Sequence, residues 1–388
     1  GRIINVGGSA IFENITFIGA TEYGINVSDD SSNIGTVTVT NCNFRAFASS
    51  ATGVNGGTAI NVKTTDNTAA GTVNISKCDF LYNTSPTYDS NYSIFIDALG
   101  TVHPYQGQGI ATSYLSTVNV EDNRFRYMRV GTDDTNSTNY NLRRNRVFDI
   151  GVHPHMHNIA SSATLRIENS VYSMYGSTTG PRAGYSSAGF KIYLINNTVY
   201  AGENSVIGSG DKMWFSATDS SPTVTPSEVH IYNNFFIRDK DAQGNGGIPL
   251  ELENLTLNKI FIDNNLYSYG RVNGGETGRF IRFGGTNYTL ADWKAYTIGQ
   301  GDSKDVNSIY EIVPANIKIA VFDYKNTGNR NIGLILGGSP AIDKGSTLYA
   351  PTTDILGTGR PMFVGPDIGA YEYIKGDSNM PSAPSNLK

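Results

Sequence analysis

A short motif returns nine times along the chain in one fixed phase, and this repetition constrains the fold more than any other feature. The copies are IFENITF (11–17), VTNCNF (39–44), ISKCDF (75–80), VEDNRF (120–125), LRRNRV (142–147), IENSVY (167–172), INNTVY (195–200), IYNNFF (231–236) and IDNNLY (262–267). Each joins a short β-branched stretch to a polar, Asn-rich turn and then a large apolar residue. Aligned on the first turn position, the copies give Asn14, Asn41, Lys77, Asp122, Arg144, Asn169, Asn197, Asn233 and Asn264. Three residues on stand Phe17, Phe44, Phe80, Phe125, Val147, Tyr172, Tyr200, Phe236 and Tyr267, eight of the nine aromatic. The spacings are 27, 36, 45, 22, 25, 28, 36 and 31 residues, which reads as a fixed rung plus loops of variable length.

Such a chain is expected to coil into an all-β, right-handed parallel β-helix. Short strands stack rung on rung about 4.8 Å apart. Inward positions then form columns of like residues: aliphatic, Asn, aromatic. Asn at a tight turn tolerates the left-handed backbone region, and stacked amides satisfy one another along the axis. A β-sandwich predicts regular turns but not an Asn-x-x-aromatic column at constant phase. Cys42 and Cys78 fall in the same column on successive rungs, and stacked thiols are the favoured reading over a disulfide, because rung stacking already holds the chain.

Residues 1–375 read as the β-helix, with the clear rungs in 1–270 and a less regular C-terminal cap in 271–375. Within the cap, Thr289–Tyr296 reads as a short helix with Thr289 as N-cap and Asp292 at the third helical position. The cap is expected to shield the open end of the solenoid. Residues 376–388 are polar and Pro-bearing. They read as a linker or the start of a further module beyond Lys388.

Charge narrows the function. With 29 Lys+Arg against 34 Asp+Glu, the net charge of -5 disfavours a nucleic-acid partner. No apolar run is long enough to span a membrane. The start reads as trimmed, which accommodates a removed export signal.

SPAIDKG (339–345), Arg360-Pro361 and DIGAYE (367–372) resemble the terminal signature of secreted bacterial right-handed β-helix proteins. That group is similar to polysaccharide lyases of the pectate lyase and chondroitinase B type, and with the rungs the resemblance covers most of 10–373. It implies a secreted or cell-surface location and an acidic polysaccharide partner. The tail also resembles the entry to a fibronectin type III domain. Neither a polygalacturonase-like paired-Asp motif nor a pectate-lyase-like Arg-x-x-x-x-Arg-x-Pro stretch is found. The alternatives to a lyase are therefore a non-catalytic glycan-binding or surface module and, third, a hydrolase, for which no convincing carboxylate pair lies on facing rungs.

Lyase chemistry on a uronate needs a cation to neutralise the carboxylate, a base for the C5 proton and a donor for the leaving oxygen. Long loops fall at 45–72, 81–117, 201–228 and 237–259, and 126–191 is dense in suitable groups. The catalytic candidates are His153, His155, Arg182 and Tyr185, with Lys191 or Lys212 as alternative base. The substrate-binding candidates are Tyr82, Tyr127, Arg129, Asp149, Tyr175, Glu203, Trp214 and Arg238. The His-x-His-x-His run at 153–157 also fits a metal site or a structural loop. Asp133 and Asp134 are candidate Ca²⁺ ligands. Arg143, Arg144 and Arg146 are expected to pair with Glu121, Asp122 and Glu168 on neighbouring rungs.

Overall fold

The computed structural model describes residues 4–18, 22–29, 34–45, 57–64, 70–81, 108–152, 155–157, 162–174, 182–183, 189–201, 215–216, 227–238, 250–253, 255–269, 279–311, 318–320 and 333–375. It is a right-handed parallel β-helix with three strand faces. The first face is a nine-stranded parallel sheet running from Ala10–Glu13 through Asn139–Arg143 to Ile260–Asp263. A two-residue turn leads from each of its strands to the second face, which runs from Thr16–Ile18 to Ile309–Glu311. The third face runs from Ile4–Val6 to Arg279–Phe283. The long strand Arg124–Thr135 belongs to both the second and the third face and joins them into one sheet.

The turn works through two adjacent columns. The first turn residue is left-handed in every described rung: Asn14, Asn41, Lys77, Asp122, Arg144, Asn169, Asn196, Asn233 and Asn264 all have φ between 47° and 59°. The next residue points into the core and ties the rungs together. Oδ1 of Asn145 accepts from the Asn123 amide (3.0 Å), that of Asn197 from Ser170 (3.0 Å), that of Asn234 from Asn197 (3.0 Å) and that of Asn265 from Asn234 (2.9 Å). Their Nδ2 groups donate backwards: Asn145 to the Val120 carbonyl, Asn197 to Ile167, Asn234 to Leu194 and Asn265 to Ile231. Each buried side-chain amide thus satisfies a backbone donor and a backbone acceptor on the preceding rung, as a buried polar group must.

One rung departs from the sequence alignment. The left-handed residue is Asn196, not Asn197, and register pairs Tyr172, Val199 and Phe236. Val199, rather than Tyr200, therefore fills the core column, which is aromatic in seven of the nine rungs. Two consecutive Asn residues allow either phase in sequence, but a one-residue slip turns every side chain of a strand over. Only the frame with Asn196 in the turn puts Leu194 and Val199 inside. The Phe17, Phe44, Phe80 and Phe125 rings stack at 4.7–4.9 Å and within 4° of parallel. Cys42 and Cys78 are buried free thiols in the inner turn column, donating weakly to the Thr40 and Ser76 carbonyls.

The C-terminal region divides into two parts with different roles. The hairpin Arg279–Phe283/Thr286–Thr289 and the helix Leu290–Gly299 close the end of the solenoid. Thr289 caps the helix by accepting from the Asp292 amide at 3.1 Å. Trp293, fully buried, packs edge-on to Phe283 and donates Nε1 to Asp305 at 3.0 Å. Residues 333–375 lie along the side instead. There Ile335, Ala341, Ile368 and Tyr371 cover the outward apolar residues Val171, Phe235, Ile237 and Leu266 of the second face. The expectation that all of 271–375 shields the open end is corrected accordingly. The outer turn column anchors the docked segment. Asn169 Nδ2 donates to the Thr353 carbonyl, Asn196 to Asp367, Asn233 to Ser346 and Asn264 to Lys344.

Candidate functional site

Register on the third face gathers several of the residues that the sequence singles out. Asn5, Asn26 and Asn61 pair in register, and their side chains form an amide ladder with links of 2.5 and 2.6 Å. The same column continues through Ala111, Asp133, His155, Arg182, Ser216, Glu251 and Arg282. A carboxylate, an imidazole and a guanidinium residue therefore occupy one column on three consecutive rungs, about 4.8 Å from one to the next. Two of the three, His155 and Arg182, are sequence candidates for catalysis. The third, Asp133, is a sequence candidate for calcium. Glu251 and Arg282 were not foreseen, because strands as short as Leu250–Glu251 carry no periodic signal.

Asp134 belongs to the opposite column, in register with the core residues Val62 and Thr112. Its buried carboxylate accepts from the Thr112 and Ser137 hydroxyls, each at 2.6 Å, and from the Ser137 amide at 3.2 Å. It stabilises a turn from inside. Among the described residues no group of three or more His, Cys, Asp or Glu is placed to hold a metal.

Other candidates take other positions. Lys191 stands on the outward side of the first face, ion-paired to Glu228 at 2.9 Å. That hydrogen bond raises its pKa, which keeps the amine charged. Tyr127 and Asp149 lie on neighbouring strands between the paired positions Arg126/Phe148 and Met128/Ile150, and Arg129 lies one residue beyond Met128 in the same strand. Arg238 shares a second-face column with Ala201 and Tyr269. Tyr82, His153, Tyr175, Tyr185, Glu203, Lys212 and Trp214 lie outside the described residues. Arg143 and Arg144 pair with Glu121, Asp122 and Glu168 as expected. Arg146 departs from that expectation: it stands against Tyr371 of the docked segment.

Sequence reasoning also missed an aromatic ladder on the first face. Tyr193 stacks on His230 at 4.5 Å and His230 on Phe261 at 4.6 Å, with Arg166 beyond Tyr193 and Tyr349 edge-on to His230. Burial lowers the His230 pKa, against the pull of Glu228 at 3.0 Å. In this ladder each ring face is spent on the next rung, so only edges remain for a ligand. Stacking on a sugar ring needs a free face, and the ladder is accordingly a packing device.

Compared with models of known families, with curated proteins and with solved structures, the chain matches none.

Proposed function

We propose that the third face is the active surface of a polysaccharide lyase acting on a uronate-containing glycan. One observation carries the reading: the in-register sequence of Asp133, His155 and Arg182 on consecutive rungs. A parallel β-helix offers an extended face to an extended polymer, and β-elimination needs the residue types that this column holds. Arg182 pairs with the uronate carboxylate and acidifies the C5 proton. His155, as neutral imidazole, takes that proton. The C4–O bond breaks as the C4–C5 double bond forms, and the His155 imidazolium returns the abstracted proton to the leaving oxygen. Asp133, one rung before His155 in the same column, is the carboxylate residue available to fix the imidazole tautomer. The SPAIDKG and DIGAYE signatures support the carbohydrate context.

The test is ultraviolet absorbance of the unsaturated product on a panel of uronate polymers, with and without calcium. His155→Ala is expected to lose about 10²-fold or more of the rate, the usual share of a positioned general base. An unchanged rate in that variant, or no product on any polymer, contradicts the reading. A binding module without catalysis is the second reading. The outward polar column Thr38, Asn74, Asn119 and Asn141 on the first face favours it, its amides linked at 2.8 and 3.0 Å. Retardation on glycan gels without product supports that module.

A further inference from the structure

Three arginines gather on the second face around the Asp79 carboxylate, the one acidic group paired with them among the described residues. Asp79, Arg124 and Arg146 stand side by side in one outward column, and Arg45 and Arg126 flank them in the other. The Asp79 carboxylate accepts from Arg45 Nη2 at 2.7 Å, Arg124 Nη2 at 2.8 Å and Arg126 Nη2 at 2.9 Å. Among the described residues one negative charge therefore holds three positive ones, while Arg146 on the next rung stands against Tyr371 of the docked segment.

The neighbouring turn network shows that this imbalance is not general. There Arg143, Arg144 and Arg166 face Glu121, Asp122 and Glu168, three charges against three. The chain as a whole is acidic, with net charge -5. Burial sharpens the excess. The Arg126 side chain is only 14% exposed, and the Nε atoms of Arg126 and Arg146 are both buried with no hydrogen-bond partner among the described residues. A buried cation without a full complement of acceptors is costly. Arg124, 35% exposed, keeps the group open to solvent. Planar guanidiniums in a row match the paired oxygens of carboxylate and sulfate.

We propose that Arg124 and Arg126, flanked by Arg45, form an oxyanion subsite for the carboxylate or sulfate groups of an anionic polysaccharide. The subsite lies on a different face from the Asp133 column. Naming a glycan as the ligand rests on the function proposed above, whereas the oxyanion chemistry rests on the arginines alone.

The test is phenylglyoxal modification of the intact chain, with modified arginines located by peptide mass spectrometry. Polygalacturonate, dextran sulfate and uncharged dextran serve as protecting polymers. Both polyanions are expected to slow modification of Arg124, and dextran is not. Arg124→Gln is expected to weaken polygalacturonate binding about tenfold, the loss of one charge-assisted hydrogen bond, with the unfolding midpoint retained. Equal modification of Arg124 in all three polymers overturns the subsite. Protection by dextran sulfate alone upholds the oxyanion subsite and removes uronate as its ligand. Cleavage of polygalacturonate while Arg124 stays unprotected overturns the subsite and leaves the third-face reading standing. Protection without cleavage does the reverse.

Discussion

At the residue scale the fold depends on two adjacent turn positions with different tasks. The first accepts a left-handed backbone, which Asn, Asp, Lys and Arg all manage here. The second is buried and is an amide wherever the ladder is longest. Asn234 shows the demand most clearly: Oδ1 accepts from the amide and Nδ2 of Asn197, while its own Nδ2 reaches the Leu194 carbonyl. Asn234→Ala leaves buried donors and an acceptor unpaired and is expected to cost about 2–4 kcal/mol, read as a lowered urea midpoint at unchanged slope. A loss under about 0.5 kcal/mol, the size of an ordinary surface change, contradicts the ladder's role. The motif was legible in sequence because both positions favour Asn. The same fact explains the slip at Asn196 and Asn197, where composition alone does not fix which amide turns inward.

At the element scale the C-terminal segment is a strap docked on the second face and held by a polar frame of its own. Arg360, fully buried in its side chain, pairs with Glu372 at 3.3 Å and donates Nη1 to the Asp367 and Gly369 carbonyls. Asp343, Asp354, Asp367 and Glu372 spend their oxygens on backbone amides of the same segment. The signatures that suggested a carbohydrate-active family are thus the internal frame of a docked strap. Burial pushes Asp367 up to about 6 and raises Glu372 as well, outweighing the attraction of Arg360. The folded segment therefore binds protons more tightly than the unfolded one. Its extra stability is full below about pH 4, the ordinary carboxyl value, and is lost as pH rises through about 6. Amide protection factors in 354–372 are expected to fall across that window, and flat or rising protection contradicts it. The end cap is a separate element. Trp293→Ala is expected to cost about 3–5 kcal/mol and to loosen the last rungs first. Uniform loss of exchange protection along the solenoid contradicts this.

The docking site of that strap was harder to read than the rungs. Repetition reports which strands stack but not where an irregular segment lies. One signal was present: the outer turn column changes from Lys77, Asp122 and Arg144 to Asn169, Asn196, Asn233 and Asn264. The last four amides face the strap's carbonyls, whereas Asn14 and Asn41 at the other end of the column pair with each other.

At the scale of the whole molecule, parallel stacking converts positions far apart in sequence into columns. The spacing of 22 residues between Asp133 and His155, and of 27 between His155 and Arg182, conveys nothing until the register is known. The sequence therefore supplied the residue types of the candidate site, and only the third-face pairing supplied their order. Cross-linking tests that pairing directly. In a background with both native thiols replaced by serine, Asp133→Cys with His155→Cys should form a disulfide rapidly under mild oxidation. In-register neighbours about 4.8 Å apart lie within disulfide reach. Asp133→Cys with Met156→Cys, one residue out of register and on the opposite side of the strand, should not. Rapid closure of the in-register pair alone is the predicted result; equal closure of both pairs, or closure of the out-of-register pair only, contradicts the column and the chemistry built on it.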